Sequence, residues 1–274
     1  MARHPDARER REGIRPRVTV APKRALGQHF LVDENILGVI GRLSDLRQTD
    51  VVLEVGPGLG VLTRYLADRV RLVHAVEVDR SLEPTLREAL TGHRNVALVW
   101  NDALRVDIDE LEPVPSKLVA NLPYNVATPL VVETLERAPS LERWCVMVQR
   151  EVANRFFAEP RTKAYGAVSV LVQLASRRVG FHPVSPTAFR PPPRVDSALV
   201  AFERSPTAAI AEVRPVVEAA FAHRRKTAAN SIALAGLASR ARVEEALTAI
   251  GRERGARAEE LEPPEFVELA SALR

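Results

Sequence analysis

The sequence predicts an α/β fold, in which a doubly wound, mostly parallel sheet precedes a smaller C-terminal domain that is all helical. From Val51 onward, short continuous apolar runs alternate with segments of helical spacing, a pattern typical of parallel strands covered by helices on both faces. After Ser205 the apolar residues recur at helical spacing to the end of the chain. We therefore expect an α/β domain over residues 24–205 and a helical domain over residues 206–274.

Each strand candidate is a short apolar run bounded by polar or turn residues. The predicted strands are Val51–Val55, Leu72–Val78, Val96–Trp100, Leu118–Asn121 and Trp144–Val148. The predicted helices are Val61–Arg69, Leu82–Leu90, Pro129–Arg137, Val213–His223, Ala228–Leu237 and Arg242–Ile250, with a short last helix near Pro263. Two further runs, Ala167–Ala175 and Ser197–Phe202, flank a proline-rich stretch that we interpret as a rigid loop between late strands.

Bulk composition excludes several classes of protein. Of 274 residues, 46% are hydrophobic and 27% are charged, which is ordinary for a globular protein with a real core. No apolar run approaches the roughly 18 residues that a membrane helix needs, and the N-terminus lacks the apolar region of a signal peptide. The single cysteine, Cys145, excludes an internal disulfide, and its apolar neighbours favour a core thiol over a nucleophile. We expect a cytoplasmic protein.

The positive charge of the chain is concentrated at its N-terminus. Residues 1–24 hold eight Lys/Arg and three Asp/Glu, whereas the rest of the chain holds 31 and 32. We expect residues 1–23 to lack fixed structure. Such a tail is typical either of a polyanion partner or of a solubilising extension, and the charge pattern alone leaves both open.

The ends of the first three predicted strands carry residues suited to an adenosine ligand. Glu54–Gly60 reads EVGPGLG, a glycine turn that lets backbone approach a nucleotide-like group; a plain tight turn is the alternative. Glu77 lies 21 residues after Gly56, where an acid can bind ribose hydroxyls. The alternative, a strand-end acid that faces water, fits Asp79 at least as well as it fits Glu77. Asp102 is placed to accept a hydrogen bond from an adenine amino group.

The fourth strand ends in Asn121-Leu122-Pro123-Tyr124. The Asn121 amide oxygen and the Leu122 carbonyl can both accept hydrogen bonds from one exocyclic amino group, and Pro123 fixes the turn. Tyr124 offers a face for stacking on a base removed from its helix, and Phe189 is a candidate second face. The alternatives are an Asn-capped turn with a packing tyrosine, and core packing for Phe189.

Together these motifs resemble those of the S-adenosylmethionine-dependent adenine-N6 methyltransferases, and more closely those of the ribosomal RNA adenine dimethylase family of the bacterial KsgA type. The resemblance runs from about Arg24 to the end of the chain. The other segments that carry it are Leu26–Leu31, Phe189–Ser197, Phe221–Thr227 and Asn230-Ser231. Two departures are His29, where the family commonly has Asn, and the segment around His223 and Ala228, where it often has Gln and Leu-Arg.

The resemblance implies a Rossmann-like class I methyltransferase sheet, with S-adenosylmethionine as methyl donor and a helical RNA-binding domain. It implies dimethylation of N6 of two adjacent adenines near the 3′ end of small-subunit (16S) ribosomal RNA, in ribosome biogenesis. The predicted cofactor-binding residues are Gln28, His29, Leu31, Glu54, Gly56, Gly58, Glu77, Asp102 and Asn121. Arg224, Arg225 and Lys226 are candidates for phosphate contacts, against a plain solvated helix face. We expect a monomer, with no metal, covalent nucleophile or protein general base.

Rival functions share parts of this pattern. Antibiotic-resistance methylases that act on large-subunit ribosomal RNA resemble the catalytic half, and the C-terminal segment from His223 to Ser231 favours the small-subunit enzymes. A non-catalytic binding module is disfavoured by the intact glycine turn and NLPY segment. A DNA adenine methylase would be expected to carry a target-recognition domain. A nicotinamide dehydrogenase is disfavoured by the glycine spacing.

Overall fold

The computed structural model describes residues 29–205 and 210–274. The predicted basic tail, Gln28 and the predicted domain boundary at residue 206 lie outside these ranges. From Val51 the helices and strands alternate as the sequence predicts up to the fifth strand of the sheet, whereas the strand Phe30–Leu31 and the helix Glu34–Ser44 before it were not predicted.

The strands form a seven-stranded sheet and a two-stranded ribbon in the described part of the chain. They are β1 (Phe30–Leu31), β2 (Val51–Val55), β3 (Leu72–Glu77), β4 (Val96–Trp100), β5 (Lys117–Asn121), β6 (Arg143–Gln149), β7 (Ser176–Val184), β8 (Phe189–Arg190) and β9 (Ser197–Arg204). The sheet order is β4-β3-β2-β5-β6-β9-β7. Strands β2 to β6 are parallel, and β9 is antiparallel to both of its neighbours.

Helices cover both faces of the sheet and build the C-terminal part of the chain. They are α1 (Glu34–Ser44), α2 (Val61–Ala67), α3 (Glu83–Ala89), α4 (Ala127–Arg137), α5 (Arg150–Phe156), α6 (Ala167–Ala175), α7 (Ile210–Phe221), α8 (Ala228–Leu234), α9 (Arg240–Ala249) and α10 (Pro263–Leu273). The predicted α/β fold class with a helical C-terminal region is confirmed. Within the described ranges, no helix combines the length and apolar character that crossing a membrane requires.

Two predictions between residues 167 and 193 are wrong. Ala167–Ala175 is helix α6 and not a strand. Most of its residues are buried, and a short, nearly continuous apolar run can form either a buried strand or a buried helix. The proline-rich stretch is also not one loop: it includes the end of β7, at Pro183, and the short strand β8. Strand β7 lies at the sheet edge, where a proline is tolerated.

The hydrophobic core continues from the sheet into the C-terminal helices. One cluster of buried side chains joins Trp144 on β6, Leu171 on α6, and Val217 and Phe266 on the C-terminal helices. Across the same boundary, Arg214 Nη1 lies 2.8 Å from Glu133 Oε1 and 2.7 Å from Glu136 Oε2, both on α4. The C-terminal helices therefore pack on the α/β part through α4 and α6.

The ribbon of β1 and β8 closes one end of the sheet. Phe30 pairs with Arg190 and Leu31 pairs with Phe189, in antiparallel register. The chain segment that precedes the sheet is thereby held against the proline-rich segment, which is distant in sequence. This pairing positions His29 beside the ends of the central strands.

Candidate active site

A cavity of about 1090 Å³, part of it open to solvent, lies at the carboxyl ends of β2, β3, β4 and β5. It is the edge of an open α/β sheet at which ligands bind. The lining includes the predicted residues His29, Leu31, Glu54, Gly56, Gly58, Glu77, Asp102, Asn121, Leu122, Pro123 and Tyr124. The fold thus brings together residues from four strand ends and from the segment before the sheet.

The glycine turn between β2 and α2 forms the floor of the cavity. Gly56 and Gly58 have φ angles of 73° and 57°, the left-handed region that favours glycine. A Cβ on Gly58 would come within 3.0 Å of the Phe30 ring. The left-handed conformation therefore favours glycine at both positions, and at Gly58 the Phe30 ring leaves little room for a side chain.

Glu77 lines the cavity and Asp79 has a structural role. The two carboxylate oxygens of Glu77 accept hydrogen bonds from the backbone N–H groups of Gly58, at 3.3 Å, and Asp79, at 2.8 Å. Burial raises the pKa of Glu77, and these two N–H groups partly offset that effect. The Asp79 carboxylate accepts from the backbone and hydroxyl of Ser81 and caps the following turn. Since a carboxylate has about four acceptor positions, Glu77 keeps capacity for a ligand.

Glu54 is a buried acid whose Oε2 lacks a hydrogen-bond partner within the described residues. The residue is 1% exposed, and it lines the cavity. Burial raises its pKa to about 8; the hydroxyl of Thr63 lowers the value in part, and the charge of Glu77 raises it further. A buried polar atom without a partner is costly, so this oxygen is suited to a hydrogen-bond donor or a cation on a bound ligand.

Asp102 follows β4 at the other side of the cavity. Its Oδ1 accepts from the backbone N–H of Leu104 at 3.0 Å and caps a short turn. The Asn101 side chain accepts from the Asp102 N–H at 2.8 Å. These bonds fix the turn and hold the Asp102 carboxylate at the cavity wall.

Asn121 is oriented by a backbone group from the segment before the sheet. Its Nδ2 donates to the His29 carbonyl at 3.0 Å, which assigns the amide nitrogen to that side and leaves Oδ1 on the other. Leu122 donates its own N–H to the Met147 carbonyl, and within residues 29–205 and 210–274 its carbonyl oxygen accepts no hydrogen bond. Two oriented acceptors, the Asn121 amide and the Leu122 carbonyl, are therefore present at neighbouring positions.

Tyr124 is held at both its hydroxyl and its ring. The phenol lies 2.6 Å from Ser197 Oγ, and burial raises the pKa of the phenol above its ordinary value, an effect that this bond reduces. The ring lies 5.6 Å from the His29 ring, centroid to centroid. His29 Nδ1 in turn lies 2.8 Å from the Pro191 carbonyl. One histidine therefore contacts the NLPY segment and the proline-rich segment.

Phe189 and the basic cluster lie outside the cavity lining. Phe189 is 1% exposed and packs in the core with Leu31 and Ala188, so in this conformation it presents no face to a base; the structure favours the core-packing alternative. The three residues of the basic cluster, Arg224, Arg225 and Lys226, are exposed in the turn between α7 and α8. They do not lie on a helix face, which was the alternative to phosphate contacts.

Sequence reasoning missed several apolar residues of the wall. Val78, Leu104 and Val126 line the cavity, and Val78 is 58% exposed although it is a large apolar residue. The sequence feature that could have identified Val78 is its position between two acids, Glu77 and Asp79. Val78 is the direct neighbour of Glu77 in the cavity lining.

The sheet order, with the antiparallel β9 between β6 and β7, and the cavity at the glycine turn define a class I methyltransferase. Residues 21–271 match the sequence model of a family described as ribosomal RNA adenine dimethylase. The chain belongs to the ribosomal RNA adenine dimethylase family, and it is an rRNA adenine methyltransferase.

Relatives match over nearly the whole chain. The ribosomal RNA small subunit methyltransferase A of Rubrobacter xylanophilus is 51% identical over 253 residues, which cover 92% of this chain and 95% of that protein. The protein of the same name from Kineococcus radiotolerans is 45% identical, with 93% and 87% covered.

Two crystal structures have a similar fold. The 23S rRNA methyltransferase ErmE is 32% identical with a TM-score of 0.65, over 89% of this chain and 99% of that one. A dimethyladenosine transferase from Plasmodium falciparum has a TM-score of 0.72 over 88% of this chain and 96% of that one. Its identity is 22%, so this likeness concerns the fold alone.

Proposed function

We propose that this protein uses S-adenosylmethionine to dimethylate N6 of two adjacent adenines near the 3′ end of small-subunit ribosomal RNA, as a step of ribosome biogenesis. The observation that carries the chemistry is the pair of neighbouring acceptors, Asn121 and the Leu122 carbonyl, in the lining of the cavity at the strand ends. The observation that favours the small subunit is the 51% identity to a small subunit methyltransferase over most of the chain.

The cavity residues fit an adenosine-containing methyl donor. Glu77 has spare acceptor capacity for ribose hydroxyls, and Asp102 lies at the wall where an adenine amino group would need an acceptor. The unpartnered Glu54 oxygen suits a charged or hydrogen-bonding group of the donor. A sulfonium methyl donor supplies an already activated methyl group, so the protein's task is mainly alignment.

The NLPY segment prepares the acceptor amine. The N6 lone pair of adenine is delocalised into the ring, and this amine is a weak nucleophile. Hydrogen bonds from its two protons to Asn121 Oδ1 and the Leu122 carbonyl favour a pyramidal nitrogen whose lone pair faces the cavity. The His29 carbonyl holds the Asn121 amide in the orientation that this needs. Pro123, which carries no N–H, adds no competing donor.

Tyr124 offers its ring to the extruded base. Base–aromatic stacking contributes about 1–3 kcal/mol per base, and the Ser197 bond fixes where the ring lies. We assign Phe189 a supporting role behind this segment, because its ring is buried in the present conformation. The product amine releases its proton to solvent, and no side chain is assigned as general base.

We further propose that the two parts of the chain have different binding roles. The α/β part, residues 24–205, binds the donor and the target base. The C-terminal part, residues 206–274, binds RNA through Arg224, Arg225 and Lys226, which are exposed. The protein acts as a monomer in the cytoplasm. The basic tail, residues 1–23, suits a polyanionic partner.

The decisive experiment offers labelled S-adenosylmethionine with undermodified small and large ribosomal subunits in parallel, followed by mapping of the labelled nucleotides. Dimethyladenosine near the 3′ end of the small-subunit RNA is the expected product. Label in the large subunit alone would assign the protein to the activity of ErmE, to which it is 32% identical. Donor binding without transfer to either subunit would indicate a binding module.

A further inference from the structure

The cavity at the strand ends is acidic, although the whole chain has a formal net charge of +4. Glu54, Glu77 and Asp102 line it, and among its lining residues in the described part of the chain there is no lysine or arginine. A cleft lined by one sign of charge favours ligands of the opposite sign. The cavity is therefore suited to a ligand that carries a positive charge.

Glu54 differs from the other two acids in how little the protein compensates its charge. It is 1% exposed, and its Oε2 accepts no hydrogen bond within residues 29–205 and 210–274. Glu77 accepts hydrogen bonds from two backbone N–H groups, at 3.3 and 2.8 Å, and the Asp102 side chain is 45% exposed to water. A buried carboxylate is costly unless a cation or hydrogen-bond donors compensate it. Compensation of an ionised Glu54 therefore has to come from a ligand.

S-adenosylmethionine and S-adenosylhomocysteine, the product of methyl transfer, differ by a methyl group and a positive charge at the same sulfur atom. We propose that Glu54 distinguishes the two compounds, an inference that rests on the proposed function. Glu54 is ionised when the sulfonium donor is bound and protonated when the neutral thioether product is bound. An adenine that receives two methyl groups needs a new donor after the first transfer, so this difference favours the exchange of product for donor.

The surroundings of Glu54 favour its protonated form when no cation is bound. Burial, together with the charge of Glu77 on β3, raises the pKa of Glu54 from 4.5 to about 8, and the Thr63 hydroxyl on α2 partly offsets this effect. An opposite charge within about 4–6 Å favours the ionised form, so a bound sulfonium displaces the proton. The other titratable side chains that face the cavity are His29, Asp102 and Tyr124.

The protons of one transfer balance. Donor binding releases the proton of Glu54 to solvent. As the N–C bond forms and the S–C bond breaks, the sulfonium becomes a neutral thioether and the amine releases its own proton. Glu54 then takes up a proton from solvent, because the cation that stabilised its charge is gone. Each methyl transfer therefore releases a single proton overall and restores the starting carboxyl group.

Calorimetric titration of the full chain with each compound, without RNA, tests the proposal. Below the pKa of Glu54 the donor must displace a proton, so donor affinity should rise with pH, by up to about tenfold per pH unit, and should level off above about pH 8. Product affinity should change little. Titrations in buffers of different protonation enthalpy should show that donor binding near neutral pH releases up to about one proton and that product binding releases none.

Glu54→Gln keeps the shape of the side chain but cannot ionise. The proton release should disappear, and the preference for donor over product above about pH 8 should fall about tenfold or more. Ionisations of the ligands themselves are common to wild type and variant, so the difference between the two proteins isolates Glu54. Glu110→Gln, a change at an exposed acid, is the control and should behave as wild type. Thermal unfolding of each variant checks that the fold is kept.

The proposal is overturned if wild type and Glu54→Gln release equal numbers of protons on donor binding. A preference for donor that is the same at every pH also overturns it, because contact with the methyl group would then distinguish the compounds. Equal weakening of both compounds in Glu54→Gln would mean that Glu54 binds a group that they share. In all three cases the donor still binds, and the proposed function stands. If the donor does not bind wild type at all, the proposed function fails together with this inference.

Discussion

The hydroxyl of Tyr124 lies 2.6 Å from the hydroxyl of Ser197, a residue that is completely buried at the start of β9. The bond joins the NLPY segment at the end of β5 to the proline-rich segment that precedes β9. A tyrosine ring held only by its backbone would swing about its side-chain torsions. Here the phenol is fixed at its far end, so the ring face is already positioned before a base arrives.

Tyr124→Ala should lower methyl transfer about 10- to 100-fold, because stacking contributes about 1–3 kcal/mol per base. Donor affinity, measured by titration calorimetry, should change little. Equal losses of transfer and donor affinity would show that Tyr124 supports the cavity and not the base.

Tyr124→Phe and Ser197→Ala remove the same hydrogen bond and should each lower transfer about fivefold, the effect of a bond worth about 1 kcal/mol. The double variant should be no worse than either single variant, since the interaction can be lost only once. Additive losses in this cycle would mean that the two hydroxyls act independently.

Glu54→Gln should change the pH dependence of stability. Folding raises the pKa of Glu54 from 4.5 to about 8, so between these values the unfolded state has released a proton that the folded state retains. This group therefore costs the folded protein stability as pH rises from 4.5 to about 8. Relative to wild type, Glu54→Gln should become more stable by on the order of 2 kcal/mol between pH 6 and pH 9.

The measurement for Glu54 is urea unfolding without donor over that pH range. Glu110→Gln, a change at an exposed acid, is the control and should follow the wild-type profile. A constant difference between Glu54→Gln and wild type at all pH values would contradict the prediction.

Glu77→Gln should weaken donor binding about tenfold or more, because hydrogen bonds to a charged acceptor contribute about 1.5–3 kcal/mol. Asp79→Asn is the matched variant: it keeps an oxygen to cap Ser81, and donor affinity should be unchanged. Titration calorimetry with S-adenosylmethionine compares the two. Loss of donor affinity in Asp79→Asn alone would indicate that Asp79, and not Glu77, contacts the ribose.

His29→Asn should keep most of the methyl-transfer activity, because an asparagine amide nitrogen can occupy the place of ring Nδ1 and donate to the Pro191 carbonyl. His29→Phe keeps a ring beside Tyr124 but lacks this donor, and kcat should fall about fivefold. His93→Phe removes a histidine whose Nε2 lies 3.1 Å from Asp68, away from the cavity, and should leave kcat unchanged. Equal activity of His29→Phe and wild type would show that the hydrogen bond between His29 and the Pro191 carbonyl does not contribute to methyl transfer.

The parts of the fold that local sequence reveals are those with a local physical cause. Val96–Trp100 is a continuous apolar run and Val51–Val55 is interrupted only by Glu54, and both strands have the predicted bounds. Ala167–Ala175 is similarly apolar but forms a helix, because what covers a short apolar run is decided by distant parts of the chain and not by the run itself.

The candidate site also has features that the local sequence reveals and features that it does not. The strand-end residues Glu54, Glu77 and Asp102 could be located from the sequence, because parallel strands bring their carboxyl ends to one edge. The orientation of Asn121 could not, since it depends on the carbonyl of His29, 92 residues away. Burial of Phe189 likewise follows from its pairing with Leu31, a contact that no local pattern shows.

The shared core under α6 limits how this enzyme can be recombined with its relatives. Leu171 on α6 belongs to the same buried cluster as Val217 and Phe266 of the C-terminal helices. A chimera that exchanges only residues 210–274 for those of another rRNA methyltransferase would join two surfaces that were not shaped for each other. Retargeting by exchange of the C-terminal helices therefore requires α6 and the α4 acids Glu133 and Glu136 to be exchanged with them.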